Sequence, residues 1–301
     1  MSEQLSQKVH VIVVTYNGIE WIDKCLGSLE RSVYPVEIIV IDNGSEDGTL
    51  EFIEKNYQNI DLIKSNKNLG FGAANNIGIK KALENGSEYI FLLNQDAWIE
   101  STTIRILVNI AEKNTKFGII SPMHLDRNGT ALDYLFSTYI DSSQCPDMIS
   151  DIYLRKEKEL YSLDMVNAAA WLVSKSVFRD VGYFDDLFFM YGEDDNFADR
   201  TIYHGYEIGV TPKTCIYHDR EDKMINQKEA RLDYSTQLKR MKRIVLNPNI
   251  TYFGKQYLLF RKSMSDALLN IQTGHLKASL KNLKIFFLGC YYNIRYHNHY
   301  K

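Results

Sequence analysis

A repeated alternation near the start constrains this chain most: short, largely apolar, β-branched runs, each closed by a polar cluster and followed by residues at helical spacing. Val9 to Val14 is such a run, bounded by Thr15, Tyr16, Asn17 and Gly18, and continuous apolar character suits a strand buried on both faces. Ile22, Leu26, Leu29 and Val33 recur at helical spacing up to Pro35, and Val36 to Ile41 is a second buried run ending at Asp42. The turn-rich segment Asp42 to Thr49 leads into a helix over Leu50 to Tyr57, a strand over Ile60 to Lys64, a helix over about Ala73 to Glu84, and a strand over Tyr89 to Leu93 that ends at Asn94-Gln-Asp96. Strands alternating with helices at this interval predict an α/β fold, a parallel sheet covered by helices on both faces.

In such sheets ligands gather at the carboxyl ends of the strands, where the loops converge. Polar residues fall in those places: Thr15, Tyr16 and Asn17 after strand one, Asp42 after strand two, Asn68 and Gly70 after strand three, Asp96 after strand four. Any one of them alone reads more readily as a helix cap or a turn. Their placement after four successive strands points to a shared site. A carboxylate at Asp42 can accept a hydrogen bond from a ribose hydroxyl or a base N–H. One at Asp96 can hold a hard divalent cation that bridges two phosphates. His218, after the strand-like Thr214 to Tyr217, is a second ligand for such an ion or a structural histidine. Glu193-Asp194-Asp195 offers a proton acceptor, because adjacent carboxylates repel and raise at least one pKa; equally it reads as the acidic first turn of a helix. Trp171 and the aromatics of Phe188 to Tyr191 read as core or as a stacking surface for a sugar ring.

Charge divides the chain. The formal net charge is −3, yet residues 223–301 hold 15 Lys+Arg against 3 Asp+Glu, giving +12, while residues 1–222 hold 20 against 35, giving −15. The basic part interleaves its cations with Phe, Tyr and Leu and predicts amphipathic helices. Three readings fit: a solvated face packed on an acidic domain, an anionic membrane surface, or nucleic acid, the last weighing least; the aromatic-rich segment also suits a homodimer surface. The longest apolar stretch in this part, Ile285 to Tyr292, is too short to span a bilayer. The polar Met1 to Lys8 leads straight into a strand without a secretory signal, so a cytoplasmic protein, peripheral on the inner face of the membrane at most, is expected. Cys25, Cys145, Cys215 and Cys290 are widely spaced and predict reduced thiols.

Five motifs together carry a family resemblance: Val13-Val-Thr-Tyr-Asn17; Asp42-Asn-Gly-Ser45 with Asp47-Gly-Thr49; Asn66 to Gly78; Leu92-Leu-Asn-Gln-Asp96; and Gly192-Glu-Asp-Asp195 with Arg200. Over residues 9 to 220 the chain resembles glycosyltransferase family 2, in its bacterial rhamnosyltransferase-like branch. The resemblance implies a GT-A fold, a Rossmann-like, mostly parallel sheet flanked by helices, with a basic helical C-terminal region outside it. It divides the chain into a catalytic domain over 1–222, binding the nucleotide sugar over about 9–120 and the acceptor over about 121–222, followed by 223–301. It implies inverting transfer from a nucleoside-diphosphate donor, dTDP-rhamnose or a UDP-hexose, to a saccharide or lipid-linked acceptor of bacterial cell-surface polysaccharide. Thr15, Tyr16, Asn17 and Asp42 would hold the nucleoside, Asn68 and Gly70 would lie against base and ribose, and Asn94 and Gln95 complete the donor set. Asp96 and His218 would coordinate Mn²⁺ or Mg²⁺, and Asp194 would be the base. The chain departs from the branch at Asn94, where the first acid of an Asp-x-Asp motif stands, and at Asn196.

The competing classes are an NAD-linked oxidoreductase, a nucleotidyltransferase and an inactive sugar-binding relative. Gly70-x-Gly72 opens a helix as in a dinucleotide site, but the third glycine position of that fingerprint is Asn75. A nucleotidyltransferase shares the sheet and the metal logic, but where it carries a basic glycine-rich loop after strand one this chain has Tyr16-Asn-Gly18.

Overall fold

The computed structural model describes residues 7–220, 234–272, 276–296 and 299–300. The chain forms two compact units, Met1–Glu221 and Asp222–Lys301; residues 221–233, the start of the basic region, lie outside the described residues.

The first unit runs β1 (Val9–Thr15), α1 (Ile22–Glu30), β2 (Val36–Asp42), α2 (Thr49–Asn56), β3 (Asp61–Lys64), α3 (Phe71–Glu84), β4 (Tyr89–Asn94) and β5 (Ala97–Ile99). It continues through α4 (Thr103–Lys113), β6 (Phe117–Asp126), α5 (Tyr134–Ser137), α6 (Met148–Tyr153), β7 (Tyr161–Leu163), β8 (Ala170–Ser174), α7 (Lys175–Asp180), α8 (Glu193–Tyr203) and β9 (Glu207–His218). One sheet holds the strands in the order β3-β2-β1-β4-β8-β6-β9-β5, with β7 also paired to β9.

The first four strands are parallel, as their apolar runs predict. Successive residues of each strand feed opposite cores: Val9, Val11 and Val13 pack with α1 and α4, while Ile12 packs with Ile39, Ile41 and Leu92 on the side of α3 and α8. Beyond β4 the sheet departs from the parallel expectation. β8 runs antiparallel to both β4 and β6, and β5 and β7 run antiparallel to β9. β5 follows β4 after only two residues, yet it pairs with β9 at the far edge of the sheet, while β8 enters between β4 and β6 running the opposite way. Trp171 on β8 is fully buried, stacked on Phe197 with centroids 6.2 Å apart. It is a core residue and offers no sugar platform. All four cysteines are free.

Register places the site. Thr15 lies opposite Asp42, Val14 opposite Asn94, and Ala97 opposite His218, so Thr15, Asp42, Asn94, Asp96 and His218 share one edge of the sheet.

The second unit contains α9 (Tyr234–Leu246), α10 (Tyr252–Gln272) and α11 (Leu276–Arg295), packed around Met241, Ile244, Val245, Leu259 and Ile285. Among the described residues no helix is long and apolar enough to cross a membrane.

A glycine lets α3 close on the sheet. A Cβ at Gly78 on α3 would stand 2.8 Å from both Ile12 Cγ2 and Ile41 Cδ1, closer than carbon atoms pack. Gly78→Val is therefore expected to lower unfolding free energy by about 1–3 kcal/mol, read as a reduced urea midpoint at unchanged m-value.

Candidate functional site

The loop after β1 is held by its neighbours. Gln95, in the turn between β4 and β5, accepts hydrogen bonds through Oε1 from Thr15 Oγ1 (2.7 Å) and Tyr16 N–H (2.9 Å) and donates from Nε2 to the Tyr16 carbonyl (3.2 Å). Its amide is thus engaged by the chain itself, and Gln95 acts here as a clamp on Thr15 and Tyr16. Asn17 takes a left-handed φ of 49°. It accepts from Glu46 N–H (2.9 Å), while its own N–H donates to Ser45 Oγ (3.0 Å). Asn94 ends β4, its N–H bonded to the Ala169 carbonyl at 3.0 Å.

Asp42 is almost fully buried. Its Oδ2 accepts from Gly44 and Ser45 N–H at 3.3 and 3.2 Å, but its buried Oδ1 has no hydrogen-bond donor among the described residues. Buried carboxylate oxygens are normally satisfied, so this atom is an acceptor awaiting a donor. Asn43 fixes the loop after β3: its Nδ2 donates to Asn68 Oδ1 (3.0 Å), its Oδ1 accepts from Leu69 N–H (2.8 Å), and Asn68 Oδ1 accepts from Gly70 N–H (2.8 Å). Gly70 has a φ of 83°, and a Cβ there would fall 1.9 Å from the Phe189 carbonyl oxygen. Only glycine allows the Phe189 backbone to rest on this loop. Phe188 is buried while Phe189 and Tyr191 are mostly exposed, and Phe189, resting on Gly70, borders the site.

The acidic cluster opens α8, whose N-terminus favours negative charge. Glu193 is buried and lies beside α3, where a Cβ on Gly72 would stand 3.5 Å from Glu193 Cβ. Asp194 is half-buried. Asn196, one of the two departures noted above, accepts from Arg200 Nε at 3.0 Å, and Arg200 also donates to the carbonyls of Val181 (2.8 Å) and Tyr183 (2.6 Å). Asn196 and Arg200 therefore brace the loop that leads into α8.

The last site residue, His218, ends β9 and is 3% exposed. Its Nδ1 is 3.0 Å from Asp133 Oδ2 and its Nε2 is 3.4 Å from Asp96 Oδ1. Burial would lower the pKa of this imidazole, but its contacts with Asp133 and Asp96 outweigh burial and push it up to about 9. Burial likewise opposes ionisation of Asp133, yet His218 and the Phe136 N–H hold that carboxyl down to about 2. His124, buried next to His218, is driven the other way, to about 3, by burial first and by the neighbouring imidazole second. Sequence reading missed Asp133. Its one local sign is a cap, since Oδ1 accepts from Phe136 N–H at 2.8 Å at the start of α5. The turn after β6 brings it back: Asp133 N–H donates to the His124 carbonyl at 3.0 Å.

Asp96 and His218 thus form an oxygen–nitrogen donor pair at the sheet edge. Among the described residues no group of three or more His, Cys, Asp or Glu could hold a metal, so an ion here would take its remaining ligands from phosphate and water.

The model of the family described as "Glycosyl transferase family 2" matches residues 10–182. The chain is 26% identical over 238 residues to the N-acetylglucosaminyl-diphospho-decaprenol L-rhamnosyltransferase of Mycobacterium tuberculosis, covering 70% of this chain and 75% of that one. The S. aureus TarS 1–349 structure in complex with UDP-GlcNAc superposes with a TM-score of 0.61 at 17% identity over 94% of this chain and 82% of TarS. The mannosyltransferase PcManGT from Pyrobaculum calidifontis, solved with GDP-Man and Mn²⁺, gives 0.56 at 14% identity over 93% and 75%. The shared architecture is the GT-A fold.

Because the raised pKa of His218 leans on Asp133, Asp133→Asn should bring it down from about 9, read in chelator-treated protein from the imidazole proton resonances. A folded pKa above the unfolded 6.5 stabilises in full below 6.5 and loses that contribution as pH rises through about 9. The stability advantage of wild type over the variant should accordingly shrink across that window in denaturant titrations.

Proposed function

The chain belongs to glycosyltransferase family 2, and we propose that it is an inverting, metal-assisted transferase of bacterial cell-surface polysaccharide synthesis. In this reading it moves a sugar from dTDP-rhamnose or a UDP-hexose to a saccharide or lipid-linked acceptor. The observation that carries the reading is the Asp96–His218 pair, 3.4 Å apart, on the edge shared with the buried, undonated oxygen of Asp42. Residues 1–222 form the catalytic domain, with the donor over about 9–120 and the acceptor over about 121–222.

On the donor side, Asp42 Oδ1 accepts from the nucleoside, with Thr15, Tyr16 and Asn17 around it. Asn68 and Gly70 lie against base and ribose, and Asn94 and Gln95 border the diphosphate. Asp96 and His218 would hold Mn²⁺ or Mg²⁺, whose remaining ligands would be the phosphate and water oxygens such cations favour. Asp133 keeps the His218 ring turned with Nε2 outward, as carboxylates behind metal-binding histidines do. When bound, the cation neutralises the charge that develops on the departing diphosphate. The PcManGT structure with GDP-Man and Mn²⁺ supports this assignment.

On the acceptor side, Asp194 removes the hydroxyl proton as the acceptor oxygen bonds to the anomeric carbon and the bond to the diphosphate breaks. A single displacement inverts that carbon. The decaprenol in the name of the M. tuberculosis relative supports a lipid-linked acceptor.

Thermal-shift titration with UDP, dTDP and GDP, each with and without Mn²⁺, tests the donor side, since specific binding raises apparent stability by mass action. One diphosphate is expected to stabilise the protein in a Mn²⁺-dependent way, and Asp96→Ala should abolish the Mn²⁺ contribution. Asp194→Asn should keep donor binding and lose about 10²–10⁴-fold in turnover. No stabilisation by any diphosphate would overturn the proposal.

A further inference from the structure

The second unit carries a surface that donor chemistry does not use. On α11 the exposed large apolar residues are Leu280, Leu283, Phe287, Tyr291 and Ile294, spaced three or four apart and hence one stripe along the helix. Phe253, Tyr257 and Phe260 begin a similar stripe on α10, with Phe253 80% and Phe287 69% exposed. The stripes meet through Phe286, whose ring centroid is 6.0 Å from that of Phe260 and 5.4 Å from that of Phe287. The outward faces of a helical hairpin in water are ordinarily polar, and a continuous apolar face marks an interaction site.

Charge says what covers it. Lys281, Lys284 and Arg295 are exposed beside the α11 stripe, and Arg261 is exposed on α10 with its guanidinium 5.9 Å from the Tyr257 ring. The sole carboxylate side chain after residue 233 is Asp266, largely buried and paired with Arg240 at 3.4 Å. An apolar stripe edged by cations, on helices that are not membrane-spanning, has the composition of a segment lying in the headgroup layer of an anionic bilayer. A twofold pairing of two copies through this face would set its cationic rims against each other, and among the described residues of this unit the one carboxylate side chain is the paired Asp266.

We propose that the stripe formed by α10 and α11 docks the protein on an anionic phospholipid surface, with Phe253 and Phe287 as apolar anchors and Lys281 and Lys284 reading the lipid charge. The proposal is independent of the sugar transferred and of the site on the sheet edge.

The test is co-sedimentation of the full chain with vesicles of equal parts phosphatidylglycerol and phosphatidylcholine, against vesicles of phosphatidylcholine alone. The expected result is binding to the anionic vesicles only, weakened by salt. Phe253→Ser with Phe287→Ser should reduce it at least tenfold, about the cost of leaving a large apolar side chain in water. Lys281→Gln with Lys284→Gln should reduce it at low salt and make it less salt-sensitive. All four side chains are exposed, so circular dichroism, melting temperature and diphosphate binding should match wild type. Failure to sediment with anionic vesicles, or undiminished binding by the Phe variant, would overturn the proposal. So would a wild-type dimer that the Phe variant dissolves while vesicles capture neither. Diphosphate binding measured on the same samples reports on the transferase reading separately.

Discussion

An imidazole buried between two carboxylates organises the carboxyl edge of this sheet. His218 is the last residue of β9, and of the strands on either side of it β5 begins and β6 ends there. Burying a charged ring is costly unless it is paired and hydrogen-bonded; Asp133 at 3.0 Å and Asp96 at 3.4 Å meet that condition from opposite sides. The pairing also removes a freedom that matters for chemistry. With Nδ1 committed to a nearly fully buried carboxylate, Nε2 faces Asp96, which is 27% exposed, and the ring can present no other atom to the edge.

The polar residues around that edge divide by what their atoms already do. Gln95, Asn17, Asn43 and Asn68 spend their side chains on the loops, clamping Thr15 and Tyr16 and fixing the turn to Gly70. These bonds give the loops one conformation before any ligand arrives, which lowers the entropy cost of binding. Asp42 differs because one buried oxygen remains without a donor among the described residues. A site built this way is mostly preformed, with few acceptors and ligands left over.

The parallel half of the fold was legible because β-branched runs such as Val9 to Val14 and Val36 to Ile41, each broken by a single polar residue, His10 and Glu37, fit two-sided burial in a sheet. The mixed half was not. β5 and β7 are three residues each, too short for any periodicity, and nothing local distinguishes an antiparallel β8 inserted beside β4. Asp42, Asp96 and His218 were legible by position and residue type. Asp133 was not, since its local environment is that of an ordinary helix cap and its partner lies 85 residues away. Gln95 was read as a donor ligand beside Asp96, while its bonds make it a clamp, a distinction that depends on the fold bringing Thr15 next to it. Trp171 shows the same limit: a large aromatic carries no mark in sequence to say whether it faces a ligand or the core.

In the proposed function Asp96 and His218, held by Asp133, seat a divalent ion against a nucleoside diphosphate. Electron spin-echo spectroscopy of Mn²⁺ added with the stabilising nucleoside diphosphate tests it most directly. The expected result is nitrogen coupling from one imidazole together with phosphorus coupling from the diphosphate, the nitrogen signal disappearing in His218→Gln. Phosphorus coupling without nitrogen in the wild-type protein, or a nitrogen signal that survives His218→Gln, would contradict it.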